Sequence, residues 1–250
     1  MTGAGMLDCK TALEETGGDM EQAAKLLRMK GLAGAAKRSD REASEGAVAV
    51  ARSGDAAAVV ELRCETDFVA KAEEFVALAD ELAALVAAKG ADAAGELDDE
   101  IDRLRATLKE NISVGRVRRL TAAPGQVLDT YLHRQAGRGV NAVAVVLEDG
   151  SEELAHEIAV HIAFTKPAYL SRDEVPEADA AAERATLEEI SRNEGKPEAA
   201  LGKIVDGRMN GWYKDRVLLD QAYVRDEKQT IAAMLGSAHI VAFAQVYFGA

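Results

Sequence analysis

Val60, Leu62 and Cys64 alternate with Glu61, Arg63 and Glu65, which is the two-residue period of a strand. From Lys71 onward the spacing lengthens to that of a helix, with Phe75, Leu78, Leu82 and Leu85 three or four residues apart. The corner between the two patterns falls at Thr66 and Asp67. Either residue can cap the helix that follows, because short side-chain oxygens accept the orphan N–H groups of a first turn. Phe68 stands on this corner and admits two readings. Counted back seven residues from Phe75 it joins the same stripe and becomes a core aromatic. Alternatively it is presented to a partner with Asp67 beside it, since aromatic side chains dominate protein interfaces.

Two short helices come first. Met6, Cys9 and Leu13 recur at helical spacing and Gly17-Gly18 ends the element. Asp19, with Gln22 three residues on, opens a second helix over 20–29 in the manner of a capping box, and Gly31 is expected to stop it. Isolated helices below ~12–15 residues are marginal in water, so these two need partners. Residues 37–45 are charged and almost free of apolar side chains, which predicts a linker.

Runs at 47–52 and 57–64 flank the turn Ser53-Gly54-Asp55 and predict a hairpin. A largely helical stretch over 66–89 follows, then a loop over 90–95. A helix over 98–110 carries Ile101, Leu104 and Leu108, and a third strand is expected over 114–120, before the Pro124-Gly125 break. The second half repeats the plan. Runs at 127–133 and 140–147 flank Ala136-Gly137-Arg138-Gly139, and a helix follows over 154–164.

From Ala178 the pattern changes to Ala181, Ala185, Leu187 and Ile190, the turn Asn193-Glu194-Gly195-Lys196-Pro197, then Ala200, Ile204 and Met209. This predicts an antiparallel helical hairpin with little core of its own, projecting from the body. Residues 218–225 return to the body, 228–235 are expected to be a short helix, and 240–248 a final strand. The predicted class is α+β, with two hairpin-plus-helix subdomains carrying antiparallel sheets.

Composition narrows the choice of partners. The 250 residues are 48% apolar but only 4% aromatic, which suits helices packed closely through small side chains. With 43 acidic against 30 basic residues the net charge is −13, which opposes binding to a polyanion, so no direct nucleic-acid partner is expected. Arg116, Arg118 and Arg119 form a basic cluster that reads as a solvated strand face. Cys9 and Cys64 do not suggest a disulfide framework. With no long apolar run and no signal peptide in view, a soluble, cytoplasmic protein is expected, with no membrane partner.

Motifs for covalent chemistry fail on spacing. His156 and His161 are five residues apart, whereas a zincin pair needs four to share a helix face. Gly195-Lys196 precedes Pro197 and lacks the rest of a phosphate loop. No metal, cofactor or small-molecule substrate is expected.

Thr66-Asp67-Phe68-Val69-Ala70, following a cysteine-containing strand, resembles the central signature of bacterial elongation factor Ts, the family of guanine-nucleotide exchange factors for elongation factor Tu. Thr2-Gly3-Ala4-Gly5-Met6-Leu7-Asp8-Cys9-Lys10 resembles that family's other signature. The two stand in the family's order and spacing, and further matches extend the resemblance over almost the whole chain.

The resemblance implies a ubiquitin-associated-like helical module at 1–36 and a linker at 37–45. It implies core subdomains at 46–125 and at 126–176 with 215–250, and a helical protrusion at 177–214. The family's module has a further helix before the Thr-Gly-Ala-Gly turn; with Met1 directly before Thr2 that helix is expected to be absent and the module loosened around Leu13, Leu26 and Leu27.

By the same resemblance the chain is a non-enzymatic exchange factor that promotes GDP release, and Asp67 and Phe68 enter the partner GTPase near its magnesium and phosphate site. Met6, Leu7, Lys10, Arg38, Leu108 and His133 match further family contacts. From the residues alone, Met6 and Leu7 could equally pack within their module, Leu108 could be core, and His133 and Arg38 could be solvated. The alternative in another class is a scaffold that holds a partner GTPase without ejecting its nucleotide.

Overall fold

The computed structural model describes residues 4–36, 38 and 40–248. Two helices open it, α1 (Met6–Glu15) and α2 (Met20–Ala36). Asp19 caps α2 as expected, accepting from the N–H groups of Glu21 and Gln22 at 2.9 and 3.0 Å. Gly31 does not stop the helix. A Cβ there would stand 3.1 Å from the Ala106 methyl, so the glycine lets α2 lie close against α5 (Asp98–Leu108).

The first sheet has the order β1 (Glu45–Ser53), β2 (Ala56–Cys64), β3 (Ser113–Thr121), all antiparallel. Between β2 and β3 run α3 (Asp67–Ala70), α4 (Glu73–Lys89), a 3-10 segment (Ala91–Leu97) where a loop was expected, and α5. α4 packs across β1 and β2, burying Phe75, Leu78, Leu82 and Val86 against Ala47, Ala49, Val60 and Leu62.

The single helix expected over 66–89 is two. α3 closes at Lys71, and Ala72 is extended (φ −65°, ψ 136°), which restarts the helix at Glu73.

The polar face expected on β2 is also corrected. Glu61 is 1% exposed. Val60 pairs with Val117 but Leu62 with Val114, so β3 carries an extra residue opposite Glu61. A Cβ on Gly115 would meet the Glu61 carboxylate at 2.5 Å, so glycine leaves the room that carboxylate occupies. Arg116 donates to it from its backbone N–H at 2.9 Å and from its guanidinium at 3.0 and 3.2 Å. Arg116 is therefore an internal ion-pair partner. Arg118 and Arg119 are exposed, though Arg119 Nε donates to the Ala87 carbonyl at 3.1 Å.

β4 (Val127–Gln135), β5 (Arg138–Glu148) and β8 (His239–Tyr247) form a second sheet in the order β4-β5-β8. The chain divides into two compact units, residues 1–121, 130–144 and 244–250 in one, and 122–129 with 145–243 in the other. The second unit holds α6 (Glu152–Thr165), capped by Ser151, and the pair α7 (Glu177–Asn193) and α8 (Glu198–Arg216). Ion pairs Arg184–Asp206 and Arg192–Glu198 run in opposite directions along α7 and α8 and show them antiparallel. Leu201, Val205 and Met209 make their small core.

Residues 228–235 are not one helix: β6 (Ala222–Tyr223) pairs with β7 (Asp226–Thr230), and α9 (Ile231–Leu235) starts at the Thr230 cap. The Thr230 hydroxyl takes the Ala233 N–H and ends the strand there.

Candidate functional site

β2 delivers the chain to the corner through Cys64, whose buried thiol donates to the Thr66 carbonyl at 3.2 Å. Burial, with Glu110 nearby, pushes that thiol up to about 12. Thr66 is extended (φ −124°, ψ 154°) and its Oγ1 accepts from the Val69 N–H at 3.4 Å, so of the two caps open from sequence Thr66 is the one used, and Asp67 is the first residue of the helix. Val69 and Ala70 turn inward, at 9% and 0% exposure, and Phe68 is left 82% exposed. The core reading of Phe68 is thereby overturned. Its neighbours in the same short turn fill the space against the sheet, and successive residues on a helix point ~100° apart.

Asp67, half-buried beside it, is paired with Lys71, Nζ to Oδ2 at 2.6 Å. The hydrogen bond from Lys71 holds the carboxyl below the usual carboxylate range.

Two acidic residues brace the corner. Glu110, just beyond α5, accepts from the N–H groups of Glu65 and Thr66, each at 3.1 Å, and from the Thr66 hydroxyl. Glu65 accepts from the Asn111 N–H at 2.6 Å and faces Arg41 at 3.5 Å. Sequence reasoning missed these residues, because the partners stand 44 to 46 positions apart and carry no local periodicity.

The other sequence-predicted residues all lie in the same compact unit. Met6 and Leu7 on α1 are 90% and 75% exposed, so packing within the module does not account for them. Lys10, on the same helix, is exposed beside Glu14 at 3.7 Å. α1 reaches the base of the corner through Asp8, whose carboxylate lies 3.7 Å from Lys109 Nζ. Leu108 is half-buried against the core that α4 shares with the sheet. His133 is exposed on β4. Arg38 is anchored rather than merely solvated, with Nη2 donating to the Arg105 carbonyl at 3.1 Å.

The histidine pair is split. His156 bonds Asp129 at 2.9 Å, while His161 is fully buried and bonds Gln221 at 3.0 Å. Among the described residues no group of three or more His, Cys, Asp or Glu side chains could hold a metal ion, and no helix is long and apolar enough to cross a membrane.

A rigid exposed ring, a carboxylate beside it and a second apolar pair on α1 are the equipment of a protein that docks onto another protein. Comparison with known proteins makes the class specific. The family model described as elongation factor TS matches residues 65–250. Elongation factor Ts of Kineococcus radiotolerans is 45% identical over 263 aligned residues, covering 100% of this chain and 94% of its own. Those of Clavibacter michiganensis subsp. michiganensis and Saccharopolyspora erythraea are 45% and 46% identical, covering 99% and 96% of this chain and 94% and 90% of theirs. The chain belongs to the elongation factor Ts family, and membership implies, in general, nucleotide exchange on elongation factor Tu.

Proposed function

We propose that this chain promotes GDP release from elongation factor Tu by docking Asp67 and Phe68 against the partner's magnesium and phosphate site. The observation that carries this reading is the exposure of Phe68 on a turn whose other apolar residues are buried. Exchange needs no covalent chemistry here. The factor and GDP each distort what the other requires, so each weakens the other's binding by the same factor. Magnesium bridges phosphate oxygens to protein, so a small displacement of its ligands loosens the nucleotide. A phenyl ring suits the task, being large and stiff. Met6, Leu7 and Lys10 supply a second contact from α1, and His133 one from β4, with Leu108 and Arg38 supporting the elements that carry them.

Release of fluorescent GDP from elongation factor Tu, followed with and without the chain and with Phe68→Ala, tests the reading. Acceleration by the wild type that is lost in the variant supports it. Equal acceleration by both removes Phe68 from the mechanism, and tight binding without acceleration makes the chain a scaffold.

A further inference from the structure

The corner that presents Phe68 is held from outside its own stretch of sequence. One carboxylate, that of Glu110, meets three donors there: Oε2 takes the N–H groups of Glu65 and Thr66 at 3.1 Å each, and Oε1 takes the Thr66 hydroxyl at 2.5 Å. A hydroxyl has one proton, so donating it to Glu110 leaves Thr66 Oγ1 with lone pairs alone for the Val69 N–H. The carboxylate therefore sets the direction of the cap.

The clasp is reciprocal, because the Glu65 carboxylate takes the Asn111 N–H and the Asn111 side chain donates to the Arg41 carbonyl at 2.7 Å. Bonds to a charged acceptor are roughly twice as strong as neutral ones. α3 has four residues, far too few to hold a helical turn unaided.

We propose that Glu110 is a positioning residue for nucleotide exchange: by clasping Glu65 and Thr66 it aims the first turn of α3, and Phe68 with it, before the partner arrives. The proposal rests on the reading of Phe68 as the docking ring. Glu110 acts through the corner and not by touching the partner, and a turn ordered in advance loses less entropy on docking.

A double-mutant cycle tests it, with the full chain as wild type, Glu110→Gln, Phe68→Ala and both together. The readouts are GDP release from elongation factor Tu and amide exchange at Val69. Glu110→Gln keeps the volume but replaces one acceptor oxygen with a donor. It is expected to raise the concentration for half-maximal release by about tenfold, to speed Val69 amide exchange, and to add nothing once Phe68 is alanine.

If Glu110→Gln matches the wild type while Phe68→Ala is slow, the positioning role falls and the docking ring stands. If Glu110→Gln costs the same factor in both backgrounds, Glu110 acts elsewhere and the proposal falls. If Phe68→Ala is as fast as the wild type, the reading beneath the proposal fails and takes it along. Should Glu110→Gln not fold, Glu110→Asp, which keeps the charge but is one methylene short, takes its place with the same expectations.

Discussion

Phe68 and Phe75 stand seven residues apart, close to two turns of a continuous helix, yet Phe75 is fully buried and Phe68 is 82% exposed. The backbone between them is the reason. α3 ends at Lys71 and the extended Ala72 restarts the chain, so helical phase is not carried from one ring to the other. Phe75 obeys α4, whose apolar face covers β1 and β2. Phe68 obeys a turn pinned by Thr66 and Glu110. Two identical side chains thus do opposite work. One holds the sheet and its helix together, and the other is left available for a partner.

The strongest way to break this comparison is to delete both rings in turn. Phe75→Ala is expected to cost about 3–5 kcal/mol of stability, because it removes transfer energy and leaves a cavity in a packed core. Its melting temperature should fall steeply. Phe68→Ala should leave the melting midpoint within the roughly 0.5 kcal/mol expected of a surface substitution. It should instead slow GDP release from elongation factor Tu by about 30-fold, the equivalent of losing ~2 kcal/mol at an interface anchor. A Phe68→Ala variant that melts early and exchanges nucleotide normally would reverse the assignment.

Acid separates the region bearing both rings from the other compact unit. Burial alone would push the Glu61 carboxyl up, but hydrogen bonds from Arg116 and Arg63 outweigh it and hold it below the ordinary range. The folded value lies below the unfolded one, so Glu61's contribution is complete above the unfolded carboxylate value of ~4.3 and is lost as pH falls through the folded one. Burial pushes His161 down, partly offset by its bond to Gln221. There the unfolded chain takes a proton that the folded one resists, so stability is complete above ~6.5 and declines as pH falls below it. Segment-resolved amide exchange on lowering the pH from about 7 to 5.5 should therefore quicken first around His161 in residues 145–243. The sheet of β1, β2 and β3 should hold until the carboxylate range is reached.

The smallest effect sharpens the picture at the corner itself. Cys64, with its thiol raised to about 12 and buried behind Thr66, should resist alkylation at neutral pH, while the half-exposed Cys9 reacts. Mass-resolved labelling reads both sites, and rapid modification of Cys64 would mean that the corner opens and that Phe68 is not rigidly presented.

The sequence by itself determined the strands of both hairpins and their turns, a cap at Thr66 or Asp67, the Asp19 cap, the paired helices around Gly195, and the signatures that resemble elongation factor Ts. All of these depend on residues a few positions apart, where periodicity and capping chemistry act directly. One further local cue was present. Glu73 and Glu74 form an acidic first turn, which marks a fresh helix start after Ala72 and with it the loss of phase between the two rings.

Only the tertiary structure decided which faces are covered. Glu61 belongs by alternation to the polar face of β2, yet a bulge and Gly115 on β3 bury it beside Arg116. Gly31 is a punctuation mark in sequence and a contact surface in space, because Ala106 lies against it. The Glu110 clasp joins residues more than forty positions apart. Periodicity tells which side chains share a face; what lies across from that face is supplied by distant chain, and that settles whether a ring or a carboxylate is buried or presented.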